Sequence, residues 1–134
     1  VQISAAHTTK QLDKAIQDLQ QAVTIDSQNY EIWQRLGQIY YRQGRYQEAI
    51  QAFYRVLELN PSLVETHLDM ALVQHALSQN KEAIIHYKKF LNYLPDDFQA
   101  NYYLGLIYRE MSQNDLALQY FLKAEKRIPI KVIC

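Results

Sequence analysis

Four histidines, two adjacent aspartates and a single cysteine are the side chains here that could take part in chemistry. His67 and His75 lie eight positions apart on one expected helix. That is twice the i, i+4 step that brings two imidazoles onto one zinc ion. His7 and His86 have no carboxylate or cysteine at ligand spacing. All four therefore read as packed or solvated side chains, and no metal or cofactor is expected. Asp96-Asp97, directly after Pro95, look like a carboxylate pair for proton transfer, but acids in front of a helix cap its N-terminus and complement its dipole. Asn60-Pro61-Ser62 reads as a junction of the same kind. No G-x-S-x-G elbow, phosphate-cradling glycine loop or nucleophile–base pair is present. The chemistry on offer is that of a surface, and no enzymatic activity is expected.

Composition narrows the partners. The 134 residues carry no formal net charge and have a sequence pI of about 7.1. A nucleic-acid ligand would call for a basic excess, so none is expected. No apolar run approaches the roughly 18 residues of a membrane span, so no membrane contact is expected of this segment. Cys134 alone supports neither an internal disulfide nor a multi-cysteine zinc site. The compartment stays open, cytoplasmic only by default. The chain starts at Val1 and stops in the apolar stretch Ile128 to Cys134, and it reads as part of a longer protein.

The elements that must carry this surface repeat every 34 residues. Gly37, Ala71 and Gly105 keep that step, as do Ala49, Ala83 and Ala117, and Pro61, Pro95 and Pro129. A period in this range belongs to stacked helical hairpins. Units are expected at 30–63, 64–97 and 98–131. In the first, Trp33, Leu36, Gly37 and Tyr40 form one helical face. A turn follows at Gln43-Gly44-Arg45, then a stripe of Ala49, Ile50, Phe53, Val56 and Leu57, and Pro61 ends the unit. The third unit copies this with Leu104, Gly105, Ile107 and Tyr108, a turn at Ser112-Gln113-Asn114, then Ala117, Leu118, Phe121 and Ala124. The second is looser, with His67 and Gln74 in place of Trp33 and Tyr40. The small residue of helix one is expected to face the alanine of helix two, so that the backbones approach. Ala15, Leu19 and Ala22 continue the pattern backwards. Residues 9–29 therefore read as the second helix of an earlier, partial unit. Residues 1–8 read as a disordered lead-in or the remnant of a preceding helix, and 132–134 as a tail.

The order W-x2-L-G-x2-Y from Trp33 to Tyr40, A-x3-F from Ala49 to Phe53 and then Pro61 resembles the tetratricopeptide repeat (TPR). Unit three lacks only the leading aromatic, where Asn101 stands. The three units cover 102 of the 134 residues. The resemblance implies an all-α, right-handed superhelical array of antiparallel hairpins, about seven helices in all. It also implies that the first helices line a concave groove for a protein or peptide ligand. Carried onto this chain, the groove positions are Gln34, Arg35, Gln38, Tyr41 and Arg42, with Glu31 beside them. Unit two gives Leu68, Asp69, Leu72 and His75, beside Glu65. Unit three gives Gln99, Tyr102, Tyr103, Leu106 and Arg109, beside Glu110. The clustered cations with which one TPR subgroup grips chaperone carboxylates are missing, since Gln34, Gln38, Glu65, Asp69 and Tyr103 occupy those places. Tyr40, Tyr87 and Tyr108 fall on internal stripes and are expected to pack inside.

A non-catalytic scaffold or adaptor, of the kind that helps assemble a larger complex, is the expected function. The alternatives are a substrate-recruiting TPR domain of a larger enzyme, or a secretion or assembly chaperone. The apolar run at the C-terminal edge adds an expectation of self-association or of further repeats.

Overall fold

The computed structural model describes residues 2–126, with side chains from Thr8 onward. Seven α-helices and no strands make up the described residues. They are α1 (Gln2–Ile25), α2 (Tyr30–Arg42), α3 (Tyr46–Leu59), α4 (Glu65–Ala76), α5 (Asn80–Tyr93), α6 (Phe98–Glu110) and α7 (Asn114–Glu125). The pairs α2/α3, α4/α5 and α6/α7 pack most extensively. Each hairpin meets the next through α3/α4 and α5/α6, α1 leans on α2, and α2 reaches α4. The result is an all-α superhelical array built from neighbour contacts. Pro129 and the stretch Ile128 to Cys134, on which the closing proline and the apolar-edge expectation rest, lie outside the described residues.

One boundary differs from expectation. α1 begins at Gln2 and not near Thr9, so residues 2–8 belong to the same helix as the partial unit. The reason is propagation: Gln2 to Thr8 contains Ala5 and Ala6 and neither glycine nor proline, so nothing there stops a helix once nucleated.

The three hairpin turns are built alike. Gly44 has φ of 75°, and Ser78 and Ser112 each have φ of 61°. At each turn the following backbone N–H bonds back into the helix: Arg45 to the Tyr40 carbonyl, Gln79 to that of Gln74 and Gln113 to that of Tyr108, all at 2.8 Å. This left-handed ending satisfies otherwise orphaned carbonyls and turns the chain sharply. Between units the caps differ. Asn29 Oδ1 accepts from the Glu31 N–H at 3.0 Å and caps α2. Asp97 Oδ2 accepts from the Ala100 N–H at 2.9 Å and caps α6, as the Asp96-Asp97 pair led one to expect. The Asn60-Pro61-Ser62 junction does not cap α4. The Ser62 hydroxyl bonds to Asn60 Oδ1, and α4 starts after Val64 without a side-chain cap.

Packing corrects the steric logic of the small residues. A methyl group on Gly37 would sit 2.6 Å from the Phe53 ring, and one on Gly105 would sit 2.5 Å from the Phe121 ring. The glycines therefore make room for the aromatic of helix two, one turn beyond the alanine. Ala49 and Ala83 are fully buried and Ala117 nearly so, so a larger side chain at these positions has no free space. Two apolar clusters result. One centres on Leu36, Tyr40, Ile50 and Phe53; the other centres on Tyr87, Phe90, Leu104 and Ile107.

Candidate functional site

The first helices of the three units bring part of the expected groove together. Gln38, Tyr41 and Arg42 from α2 line one cleft of about 380 Å³ with Asp69 and Leu72 from α4, over the Phe53 ring. The periodicity explains the set: these positions lie off the buried Leu36–Gly37–Tyr40 and Met70–Ala71–Gln74 faces, and only the open side of each helix remains to them. Asp69 is the electrostatic centre of the cleft. Burial pushes its carboxyl up to about 6, a hydrogen bond from Gln38 opposes that shift, and the charge of Glu65 adds to it. Near neutral pH the cleft thus holds a carboxylate that a cation or a hydrogen-bond donor would relieve.

An aromatic patch continues the face toward α6. Tyr103 stacks on Tyr87 with centroids 6.3 Å apart and meets the His75 ring edge-on at 6.2 Å. His75 Nε2 lies 3.3 Å from Glu110 Oε1, joining α4 to α6. Tyr41 is close enough for Tyr103 and Tyr46 to raise its hydroxyl pKa, although burial is the larger cause. Gln38, Tyr41, Arg42, Asp69, Leu72, His75 and Tyr103 therefore form one continuous surface.

The other expected positions fall elsewhere. Arg35 lies in a separate cleft of about 390 Å³ between α1 and α2, with Asp18 and Leu19 opposite and Gln38 and Arg42 shared with the first cleft. Tyr102 borders the surface: its ring meets Tyr103 edge-on with centroids 5.7 Å apart, and also gathers with Phe98 and Phe121, 5.7 and 5.9 Å away, toward α7. Arg109 also turns to Phe121, its guanidinium 6.0 Å from the ring centre. Leu68 is half-buried against the second apolar cluster, as Leu72 is in part. Gln34 and Leu106 are half-buried, and Gln99 is exposed.

Two details escaped sequence reasoning. Tyr87, at the position of Phe53 and Phe121, is fully buried as its internal stripe led one to expect, but its hydroxyl is left without a hydrogen-bond partner. The phenols of Tyr103 and Tyr41 act on it, so it lies beneath the groove surface, and burial holds its proton firmly in place. A tyrosine where the repeat carries phenylalanine was the available signal. The second is a contact between His67 and His86, whose Nδ1 atoms are 3.0 Å apart. Among the described residues no group of three or more metal-ligating side chains occurs, and no helix is long and apolar enough to cross a membrane.

Known proteins share this architecture. Family models described as tetratricopeptide repeat match residues 30–63 and 68–129, and one described as TPR repeat matches 7–44. The chain is 34% identical over 71 residues to the human Superkiller complex protein 3. It is 33% identical over 66 residues to the peroxisomal targeting signal receptor of Saccharomyces cerevisiae. The aligned parts make up 53% and 49% of this chain but only 4% and 11% of those proteins. Among solved structures, MamA superimposes with a TM-score of 0.83 at 27% identity, over 92% of this chain and 72% of that one. MamA from Desulfovibrio magneticus RS-1 gives 0.84 at 23%, over 94% and 71%, a likeness of fold alone. The repeat pattern, the seven stacked helices and these matches agree: the chain belongs to the tetratricopeptide-repeat family.

Proposed function

We propose that the chain is a non-catalytic scaffold whose concave face binds an extended or helical segment of a partner protein. The observation that carries this reading is the continuous surface from Gln38 and Tyr41 through Asp69 and Leu72 to His75 and Tyr103. It combines apolar rings, which give large contact areas at little entropic cost, with a few fixed polar groups that set register. The peroxisomal targeting signal receptor is by name a reader of a protein segment, which supports the same use here. The proposal holds whether the chain stands alone, recruits substrate for a larger enzyme or serves an assembly chaperone. Arg35, Gln34, Leu68, Gln99, Tyr102, Leu106 and Arg109 form the outer parts of the site. Tyr102 and Arg109 engage ligand only where it extends over Phe121.

Selection of peptides from a displayed library, followed by affinity measurement on Leu72→Glu and Tyr103→Ala, tests the proposal. Both changes should weaken the selected peptides at least about tenfold, while Tyr54→Ala on the opposite face leaves them unchanged. Peptides that bind both groove variants as tightly as the parent chain would refute it. A second reading rests on α7, where Leu118 and Leu122 are 58% and 49% exposed. Ile84, the counterpart of Leu118 one unit earlier, is half-buried. We propose that this face packs against a second copy, and a strict monomer in concentrated sedimentation runs would exclude that.

A further inference from the structure

The second unit departs from the repeat at two positions that turn out to face each other. Position 67 corresponds to Trp33 and Asn101, and position 86 to Ala52 and Tyr120. Trp33 and Ala52 line one cleft, and Asn101 and Tyr120 line the matching cleft two units on. Each unit thus fills the same inter-helix space, with large and small, medium and medium, then small and large side chains. Volume alone is satisfied by many pairs. Only the second unit fills it with two imidazoles, one from α4 and one from α5. Their Nδ1 atoms lie 3.0 Å apart, with the rings 22° from parallel and centroids 5.2 Å apart.

We propose that His67 and His86 form a two-imidazole site for a copper(II)- or nickel(II)-type cation, with water completing the coordination. With metal–nitrogen bonds of about 2.0–2.1 Å, a 3.0 Å separation of the two donors subtends roughly 90–97° at the metal. That angle matches neighbouring corners of a square-planar or tetragonal site and is too narrow for tetrahedral zinc, and imidazole suits both metals. To converge on one outer point, each lone pair must swing by roughly 40–45° from the line joining the two nitrogens, a rotation shared between the Cα–Cβ and Cβ–Cγ bonds. Both side chains are only half-buried, which leaves that point open to water.

Without metal, one ring must carry its proton on Nδ1 to make the hydrogen bond. Metal binding moves that proton to Nε2, so two neutral rings release no net proton. Burial, and the nearby Lys89 charge of α5, lower the proton affinity of His67. For His86, burial, His67 and Lys89 together bring the value down to about 4. No carboxylate of the flanking α3 or α6 offsets these shifts. Lys89 is exposed, and its ammonium can swing into water when a cation arrives.

The test is titration of the chain with Cu(II) and Ni(II), followed by calorimetry and electron paramagnetic resonance. His7→Ala and Cys134→Ser are introduced throughout to remove other donors. One Cu(II) should bind with hyperfine splitting from two nitrogens. His67→Asn and His86→Ala, the residues other units carry at these places, should each weaken binding at least about tenfold, while His75→Gln does not. Helical circular dichroism of the variants separates loss of site from loss of fold. Undiminished binding in either variant, or a single-nitrogen signal, would overturn the proposal.

Discussion

Replacing Gly37 by alanine, set against the same change at Gly105, isolates what the glycines do. Both sit inside helices, so both variants gain the same helix propensity, about 1 kcal/mol for alanine over glycine. They differ in what the new methyl group meets. At Gly37 it would lie 2.6–2.8 Å from three atoms of the Phe53 ring, which is 1% exposed. Ordinary carbon contacts need about 3.5–4.0 Å, so the ring must retreat by roughly an ångström. It retreats into a core where Ala49 and Val56 are fully buried. Overpacking of this kind costs about 1–3 kcal/mol, leaving Gly37→Ala neutral to about 2 kcal/mol destabilising. At Gly105 the methyl group would approach Phe121 to 2.5 Å, but that ring is only half-buried on the last described helix and can swing outward. Gly105→Ala should then be neutral to stabilising by up to about 1 kcal/mol. The two thermal midpoints, followed by circular dichroism at 222 nm, should separate by up to roughly 12 °C, with Gly37→Ala the lower. Midpoints are the right quantity, because stacked units need not unfold in one step. In unit two the arrangement already exists with a methyl group: Ala71 faces a helix whose ring, Tyr87, lies stacked on Tyr103. If both variants shift the midpoint equally and in the same direction, the steric account of the glycines is wrong. Failure of an added Phe53→Leu to restore Gly37→Ala would count against it too.

Three further outcomes are expected. Asp69, whose value rises from 3.8 to about 6 on folding, contributes stability below pH 4 that is lost as pH climbs through 6. His86, lowered to about 4, contributes stability above pH 6.5 that is lost as pH falls towards 4. The two oppose each other between pH 4 and 6, so Asp69→Asn should leave stability rising more steeply with pH over that window than in the parent chain. An unchanged slope in urea melts would contradict the Asp69 shift. Ser78→Gly and Ser112→Gly, at φ of 61°, should each stabilise by about 0.5–1 kcal/mol, and a loss on either would show that the serine hydroxyl matters more than the backbone. Tyr87→Phe removes a buried hydroxyl without a partner and should raise stability by about 1 kcal/mol; a lower midpoint would reveal a partner for that hydroxyl.

The sequence carried the fold because its signals were local and repeated. Gly37, Ala71 and Gly105 at one step mark where a ring must enter, and the turns at Gly44, Ser78 and Ser112 recur at the same step. The start of α1 was not legible, because Gln2 to Thr8 lacks both a cap and a breaker. The groove positions on α2 and α4 came from the tetratricopeptide-repeat resemblance, and the period added only that they lie off the buried faces of those helices. Arg109 and Tyr102 also contact Phe121, and that contact between helices is invisible to periodicity within one. The His67–His86 contact was hidden for a related reason. Their separation of 19 residues has meaning only once the turn at Ser78 folds α5 back along α4. Spacing tests for metal pairs look along one helix and miss pairs that face each other across a hairpin.

The thinner seams between hairpins, α3 on α4 and α5 on α6, give the array a mechanical character. A ligand that rests on Tyr41 of α2, Asp69 of α4 and Tyr103 of α6 bridges both of these seams. Its span is set by how far α6 is rotated relative to α4, and the His75–Glu110 contact is the strut across that joint. The chain then behaves as a leaf spring. A ligand that fits one curvature stiffens it, and by reciprocity a pull that flattens the curve loosens the ligand.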